Sequence, residues 1–239
     1  MKKTVISDTV VFLCSGGGGN LRFVYHAIQH HWVSSWSKIV VIADRECPAL
    51  EFARKNNLEN YILDFSGSEQ EELLDIVSSI APSLIITTVH RILSSNFVTL
   101  FKGRLLNLHY SLLPAFAGSI GVKPVSDALK FGVRLIGATV HTVTEIVDGG
   151  PPEVQVVLPV DRVDTVEYAM DISFRAGCYA LLTALRIVDQ PNLSFQIGGY
   201  IKIDDRPALI NPIVEYPLEL NEEVFWDSLR LESPKKNRL

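Results

Sequence analysis

Cysteine is scarce in this chain. Its 239 residues hold three, at positions 14, 47 and 178, with no CxxC pair and no Cys/His ligand spacing. That pattern argues against a disulfide framework and against a zinc centre, and no metal ligand set is expected. Long apolar runs are missing as well: none approaches the roughly eighteen residues of a membrane span. After Met-Lys-Lys the first apolar run, Val10–Cys14, stops at five residues, too short for a signal-peptide core, so a cytoplasmic, reducing location is expected. Positive charge is not in excess. With 22 Lys+Arg against 27 Asp+Glu the net charge is −5, which gives no general attraction to nucleic acid or to an anionic membrane. An anionic ligand must therefore be held by local geometry. No Gly-Lys-Ser/Thr completes a Walker loop, the glycines lack GxGxxG spacing, and no internal repeat occurs. What remains, 47% hydrophobic and 21% charged, is the composition of an ordinary soluble globular protein, long enough for one large domain or two small ones.

Apolar strands alternate with amphipathic helices. Val10–Cys14 reads as a buried strand, followed by Ser15-Gly16-Gly17-Gly18-Gly19-Asn20 and a helix with Leu21, Val24, Ala27 and Ile28 at helical spacing. Lys38–Ala43, Tyr61–Leu63 and Leu84–Thr88 read as further strands, with helices over Ala49–Asn57 and Glu69–Ile80. This order predicts an α/β fold with a doubly wound, mostly parallel sheet. Leu135–Val143 and Glu153–Val160 read as additional strands and Val163–Val188 as a long helix. The charged tail from about Glu215 reads as loosely packed or frayed.

Two constellations carry chemistry, each with a plain alternative. Glycines after a first strand leave their N–H groups open. With the positive end of the next helix they form a nest for phosphate or carboxylate, unless the run is only a flexible turn. The second is Asn107-Leu108-His109-Tyr110-Ser111. On a strand, Asn107, His109 and Ser111 share one face, and three polar side chains on one face need partners or a ligand. Asp148, in Val147-Asp148-Gly149-Gly150-Pro151, is ordinary turn chemistry when taken alone. His26, His30 and His31 read as surface positions, and His90 and His141 as strand-end or strand residues of no sharper meaning.

Taken together, Ser-Gly-x-Gly-x-Asn-Leu at 15–21, His-Arg-Ile-Leu-Ser at 90–94, Gly-Arg-Leu-Leu-Asn-Leu-His-Tyr-Ser-Leu-Leu-Pro at 103–114 and Gly-Ala-Thr-Val-His-Thr-Val-Thr-Glu-Ile-Val-Asp-Gly-Gly-Pro at 137–151 resemble the folate-dependent formyltransferases. The likeness is strongest to the phosphoribosylglycinamide branch and runs in order over roughly residues 10–190. The resemblance implies a Rossmann-like sheet of the formyltransferase type over 1–190. Residues 191–239 would then be a C-terminal appendage packed on it, ending in a loosely ordered charged tail. It also implies 10-formyltetrahydrofolate as co-substrate and formyl transfer to a primary amine, with Asn107, His109 and Asp148 as the catalytic trio. Asn107 and a protonated His109 would stabilise the tetrahedral oxyanion, and Asp148 would favour the charged imidazole and relay the proton. Folate would lie against the backbone of Arg91-Ile92-Leu93, against Val98, and against the loop Thr144-Glu145-Ile146-Val147. Gly17, Gly18, Gly19 and Asn20 would hold the acceptor's anionic group.

The chain departs from that branch on the acceptor side. Gly19 stands where the branch has Ser, Tyr110 where it has Pro, and the connection Ser119–Ser126 is longer and lacks histidine. Arg175 falls where the branch carries a carboxylate for ribose hydroxyls. A cation cannot accept those hydrogen bonds but can grip a phosphate or carboxylate in a fork. The expected activity is thus formylation of a small, phosphorylated amine. True phosphoribosylglycinamide formylation, formyltetrahydrofolate hydrolysis and plain folate or nucleotide binding are the alternatives. The expected partners are that amine and folate, with neither nucleic acid nor membrane; the oligomeric state is not legible.

Overall fold

A computed structural model describes residues 7–67, 69–190 and 195–231. The chain divides into two compact units, Met1–Leu106 with Val224–Leu239, and Asn107–Glu223.

In the first unit strands alternate with helices: β1 (Thr9–Cys14), α1 (Gly19–Gln29), β2 (Lys38–Ala43), α2 (Pro48–Lys55), β3 (Glu59–Ile62), α3 (Glu71–Ile80), β4 (Leu84–Thr88) and α4 (Ser95–Leu100). The strands lie in the order β3-β2-β1-β4, all parallel, with Phe12 of β1 opposite Val41 on one side and Ile86 on the other. Parallel neighbours need a crossover helix, which puts helices over the sheet and buries the central strands on both faces. This is why Val10–Leu13 and Val40–Ala43 are unbroken apolar runs with no exposed surface. Each such side chain contributes roughly 1.5–3 kcal/mol by leaving water. Ser94 caps α4 by accepting from the Phe97 N–H at 3.2 Å.

The chain passes to the second unit within β5 (Leu105–His109) and continues through α5 (Lys123–Phe131), β6 (Leu135–Thr142), β7 (Pro152–Pro159), α6 (Val166–Asp189), β8 (Gly199–Ile203) and β9 (Arg206–Asn211). Strand order here is β5-β6-β7-β9-β8, with β6, β7, β9 and β8 joined antiparallel. α6 buries Ala169, Ile172, Ala176, Ala180 and Leu181 completely. The Arg206 guanidinium forks onto Asp164 at 2.6 Å and lies over the Tyr168 ring, fastening β9 to the start of α6.

The α/β class with a parallel core is as the sequence predicts. The hairpin β8–β9, the helices α4 and α5 and a last helix, α7 (Glu223–Leu231), have no counterpart in the sequence reading. The hairpin turns at Asp204-Asp205 without an Asn-Gly or Asp-Gly signal, and Pro207 within β9 disguises the strand. The tail reading fails as far as residue 231. In the first unit Trp226 and Leu229 are buried, and the Trp226 ring lies parallel to Phe23 at 6.3 Å. The rest of the expected loose tail, 232–239, lies outside the described residues.

Candidate active site

In the second unit the alternation along β5 turns Leu108 into the core and sets Asn107 and His109 on the other face. His109 Nε2 donates to the Phe116 carbonyl at 3.1 Å, and its Nδ1 lies 3.4 Å from Asp148 Oδ2. Ser111, the third residue of that face, donates to the Ala115 carbonyl and so shapes the turn after the strand.

Asp148 reaches this point because its own turn is forced. It adopts φ 51°, a left-handed conformation that Asp tolerates better than most residues. Gly150 passes so near the Thr142 carbonyl oxygen that a Cβ would sit 1.7 Å from it, so no other residue fits. Asp148 Oδ2 then accepts the Gly118 N–H at 2.7 Å. A residue given no role by the sequence completes the cluster. His141 on β6 donates from Nδ1 to the Thr142 carbonyl at 2.8 Å. Its Nε2 faces Asn107 Oδ1 at 3.1 Å and Asp148 Oδ1 at 3.6 Å. Both ring nitrogens thus face oxygen atoms.

Burial on its own would raise the Asp148 carboxyl. The hydrogen bonds from His141 and Gly118 and the nearby imidazoles outweigh it and hold the group below the usual carboxylate range. At His109 burial wins: it pushes the imidazole below its ordinary value, against Asp148 and the Phe116 hydrogen bond, with His141 adding to the depression. Burial therefore works against the protonated His109 that the resemblance implies. Asp148 favours the cation, as anticipated, but does not outweigh desolvation.

The loop before Asp148 exposes Thr144, Glu145, Ile146 and Val147, with Thr144 Oγ1 donating to the Ile146 carbonyl. Arg175, on α6, is buried, and its fork is taken. Nη1 and Nη2 each donate to Glu223 at 2.7 Å, and Nε donates to Asp171 at 3.0 Å. The anion gripped by Arg175 here belongs to the protein itself.

The remaining expected residues belong to the first unit. Gly18 adopts φ 70° ahead of α1, and a Cβ there would lie 2.8 Å from Ala49 Cα; Gly16 and Gly17 face open space. Two groups the sequence reading passed over shape this unit's loops. Arg22, buried in the first turn of α1, donates to the Gly17 carbonyl at 2.7 Å and to the Leu229 carbonyl at 3.2 Å. It places a cation beneath the glycine turn. Buried Gln70 donates to the carbonyls of Phe65 and Ile92 and accepts the Ser94 N–H at 2.9 Å, which fixes Arg91-Ile92-Leu93. Ile92 is exposed, while Leu93 and Val98 are buried. Arg91 lies 4.0 Å from Asp44. The His90 N–H donates to Ser15 Oγ at 2.8 Å, tying the end of β4 to that of β1. Among the described residues no helix is long and apolar enough to cross a membrane.

Known proteins resemble this chain over most of its length. A phosphoribosylglycinamide formyltransferase of Mycobacterium tuberculosis (strain ATCC 25618 / H37Rv) is 33% identical over 185 residues, covering 74% of this chain and 84% of the relative. A formyltetrahydrofolate deformylase of Escherichia coli O6:H1 is 36% identical over 112 residues, covering 46% of this chain and 38% of its own. The crystal structure of glycinamide ribonucleotide transformylase 1 from Symbiobacterium toebii superposes with a TM-score of 0.71 at 29% identity, covering 79% of this chain and 90% of that one. The family model described as formyl transferase matches residues 8–185, and the chain belongs to that family.

Proposed function

We propose that this protein transfers the formyl group of 10-formyltetrahydrofolate to the primary amine of a small phosphorylated acceptor, in the cytoplasm. One observation carries the reading: Asn107, His109 and Asp148 lie in one cluster with His141, each within 3.6 Å of another member. Attack of an amine on the formyl carbon creates an oxyanion and an ammonium proton. The Asn107 N–H groups serve the oxyanion. His109, its pKa lowered by burial, takes the proton, and Asp148 stabilises the imidazolium that results. The exposed apolar side chains of Ile146 and Val147 suit one face of an aromatic pterin. The acceptor's anionic group is assigned to the backbone amides of Gly17, Gly18, Gly19 and Asn20, supported by the cation of Arg22 beneath them. Arg175 is left out of the acceptor set, because Glu223 and Asp171 occupy it.

Glycinamide ribonucleotide is the first acceptor to offer, since relatives carry that name. The test is tetrahydrofolate release from 10-formyltetrahydrofolate with and without the amine. Release that depends on the amine is expected. Equal release without it would favour hydrolysis, the reading that likeness to a deformylase keeps in view. No release from a folate that binds, whichever phosphorylated amine is offered, would overturn the proposal.

A further inference from the structure

Arg22 touches two segments far apart in the chain. From the first turn of α1 its Nη1 donates to the Gly17 carbonyl at 2.7 Å, and its Nε donates to the Leu229 carbonyl, 207 residues on, at 3.2 Å. Both contacts lie within the first unit. Leu229 belongs to the last turn of α7, where carbonyls lack partners along the helix and the helix end carries partial negative charge. The buried guanidinium caps that end, and the same group grips the glycine turn. Aromatic residues seat α7 on α1. Trp226 lies parallel to Phe23, the residue after Arg22, at 6.3 Å, and Phe225 meets Phe23 edge-on at 6.3 Å and Trp32 at 5.4 Å.

The grip bears on what the turn presents. The Arg22 backbone N–H donates to the Gly18 carbonyl at 2.9 Å, so the carbonyls of Gly17 and Gly18 are both turned to Arg22. In a planar trans peptide the N–H points opposite the C=O of the same unit. The N–H groups of Gly18 and Gly19 are therefore aimed away from Arg22, as an anion-binding turn requires. Successive glycines hold no such conformation unaided, because their backbone is the least restricted of any residue. The geometry points to Arg22 as a positioning residue that couples the docking of the C-terminal helix α7 to anion binding at the glycine turn. The inference rests on the assignment of the acceptor's anionic group to that turn. With α7 docked, the guanidinium is held between two carbonyls and the turn amides are preorganised. With α7 displaced, Arg22 loses one of these acceptors and the turn loses its anchor. Coupling of this kind is reciprocal, so an anion on the turn must stabilise the docked helix. Charge alone does not supply it: Lys carries the same charge on a single nitrogen and lacks the fork that spans both carbonyls.

The test is an NMR titration of the full chain with inorganic phosphate, read at the amides of Gly17, Gly18, Gly19 and Asn20, beside hydrogen exchange across α7. In the unaltered protein phosphate is expected to shift the turn amides and to slow exchange in α7. Arg22→Lys keeps the charge and breaks the bridge. Its phosphate affinity should fall roughly ten- to a hundredfold, the worth of one hydrogen bond to a charged group, and α7 should no longer respond. Trp226→Leu leaves Arg22 in place and loosens α7, so it should weaken phosphate binding in the same direction. With substrates, Arg22→Lys should raise the KM of the acceptor and leave that of the folate unchanged. Undiminished phosphate affinity in either variant would overturn the coupling. So would α7 exchange that stays constant while phosphate shifts the turn amides, an outcome read without any variant and therefore decisive if one fails to fold. Turn amides unmoved by phosphate in the unaltered protein would instead refute the anion assignment itself, and the coupling with it.

Discussion

Replacing Asp148 with Asn keeps the shape of the side chain and removes its charge, which isolates one electrostatic contact. Asn tolerates the left-handed φ of 51° and can still accept the Gly118 N–H, so the turn is expected to hold. Losing charge assistance from that hydrogen bond costs about 1 kcal/mol of stability. The effect on His109 is larger. At the observed 3.4 Å between His109 Nδ1 and Asp148 Oδ2, opposite unit charges attract by about 1 kcal/mol in a water-like dielectric and about 5 kcal/mol at an effective dielectric of 20. One pH unit corresponds to about 1.4 kcal/mol, so the His109 titration in Asp148→Asn should move toward acid by about one unit or more. The direction follows because Asp148 is the charge that raises His109 against burial. Two readouts check it: the His109 ring signals in an NMR titration, and the acid limb of kcat/KM, which reports the free enzyme. The plateau of kcat/KM should fall by roughly 10²–10⁴-fold, the worth of a positioned proton-transfer group. An acid limb that stays in place, or moves toward alkali, would refute the electrostatic account even if activity were lost. Stability should change in step. A depressed carboxyl contributes stability that is present above its unfolded value of about 3.9 and lost as pH falls through the folded one, and Asp148→Asn should flatten that decline.

Removing His141 should act on His109 with the opposite sign. His141 adds to the depression of the His109 ring, so His141→Asn should shift the His109 titration toward alkali while lowering kcat through a freed Asn107. Gly18→Ala places a methyl against Ala49 in a left-handed conformation and should destabilise the protein by about 1–3 kcal/mol, read as a lower midpoint in urea. Glu223→Ala should cost about 1–2 kcal/mol by uncovering buried Arg175 and leave the KM of the acceptor unchanged. A raised acceptor KM with stability intact would restore Arg175 to the acceptor site.

Strands such as Val10–Cys14 and Lys38–Ala43 could be read because burial on both faces leaves no alternative to an apolar run, and the alternation of Asn107 and His109 stood out against that background. What escaped the sequence are pairings between segments far apart in the chain. Arg175 reads as a lone cation only while Glu223, forty-eight residues on, is out of view. Arg22 and Gln70 look like surface polar residues until their partners, the carbonyls of Gly17, Leu229, Phe65 and Ile92, are in place. His141 differs, because a signal for it existed. Thr139-Val140-His141 alternates on β6 just as Asn107-Leu108-His109 does on β5, and buried polar faces must find hydrogen-bond partners. Two polar-alternating strands in one sheet therefore imply each other. Weighed singly, each histidine favours a bland reading, whereas the two faces weighed as a pair point to His141 beside Asn107.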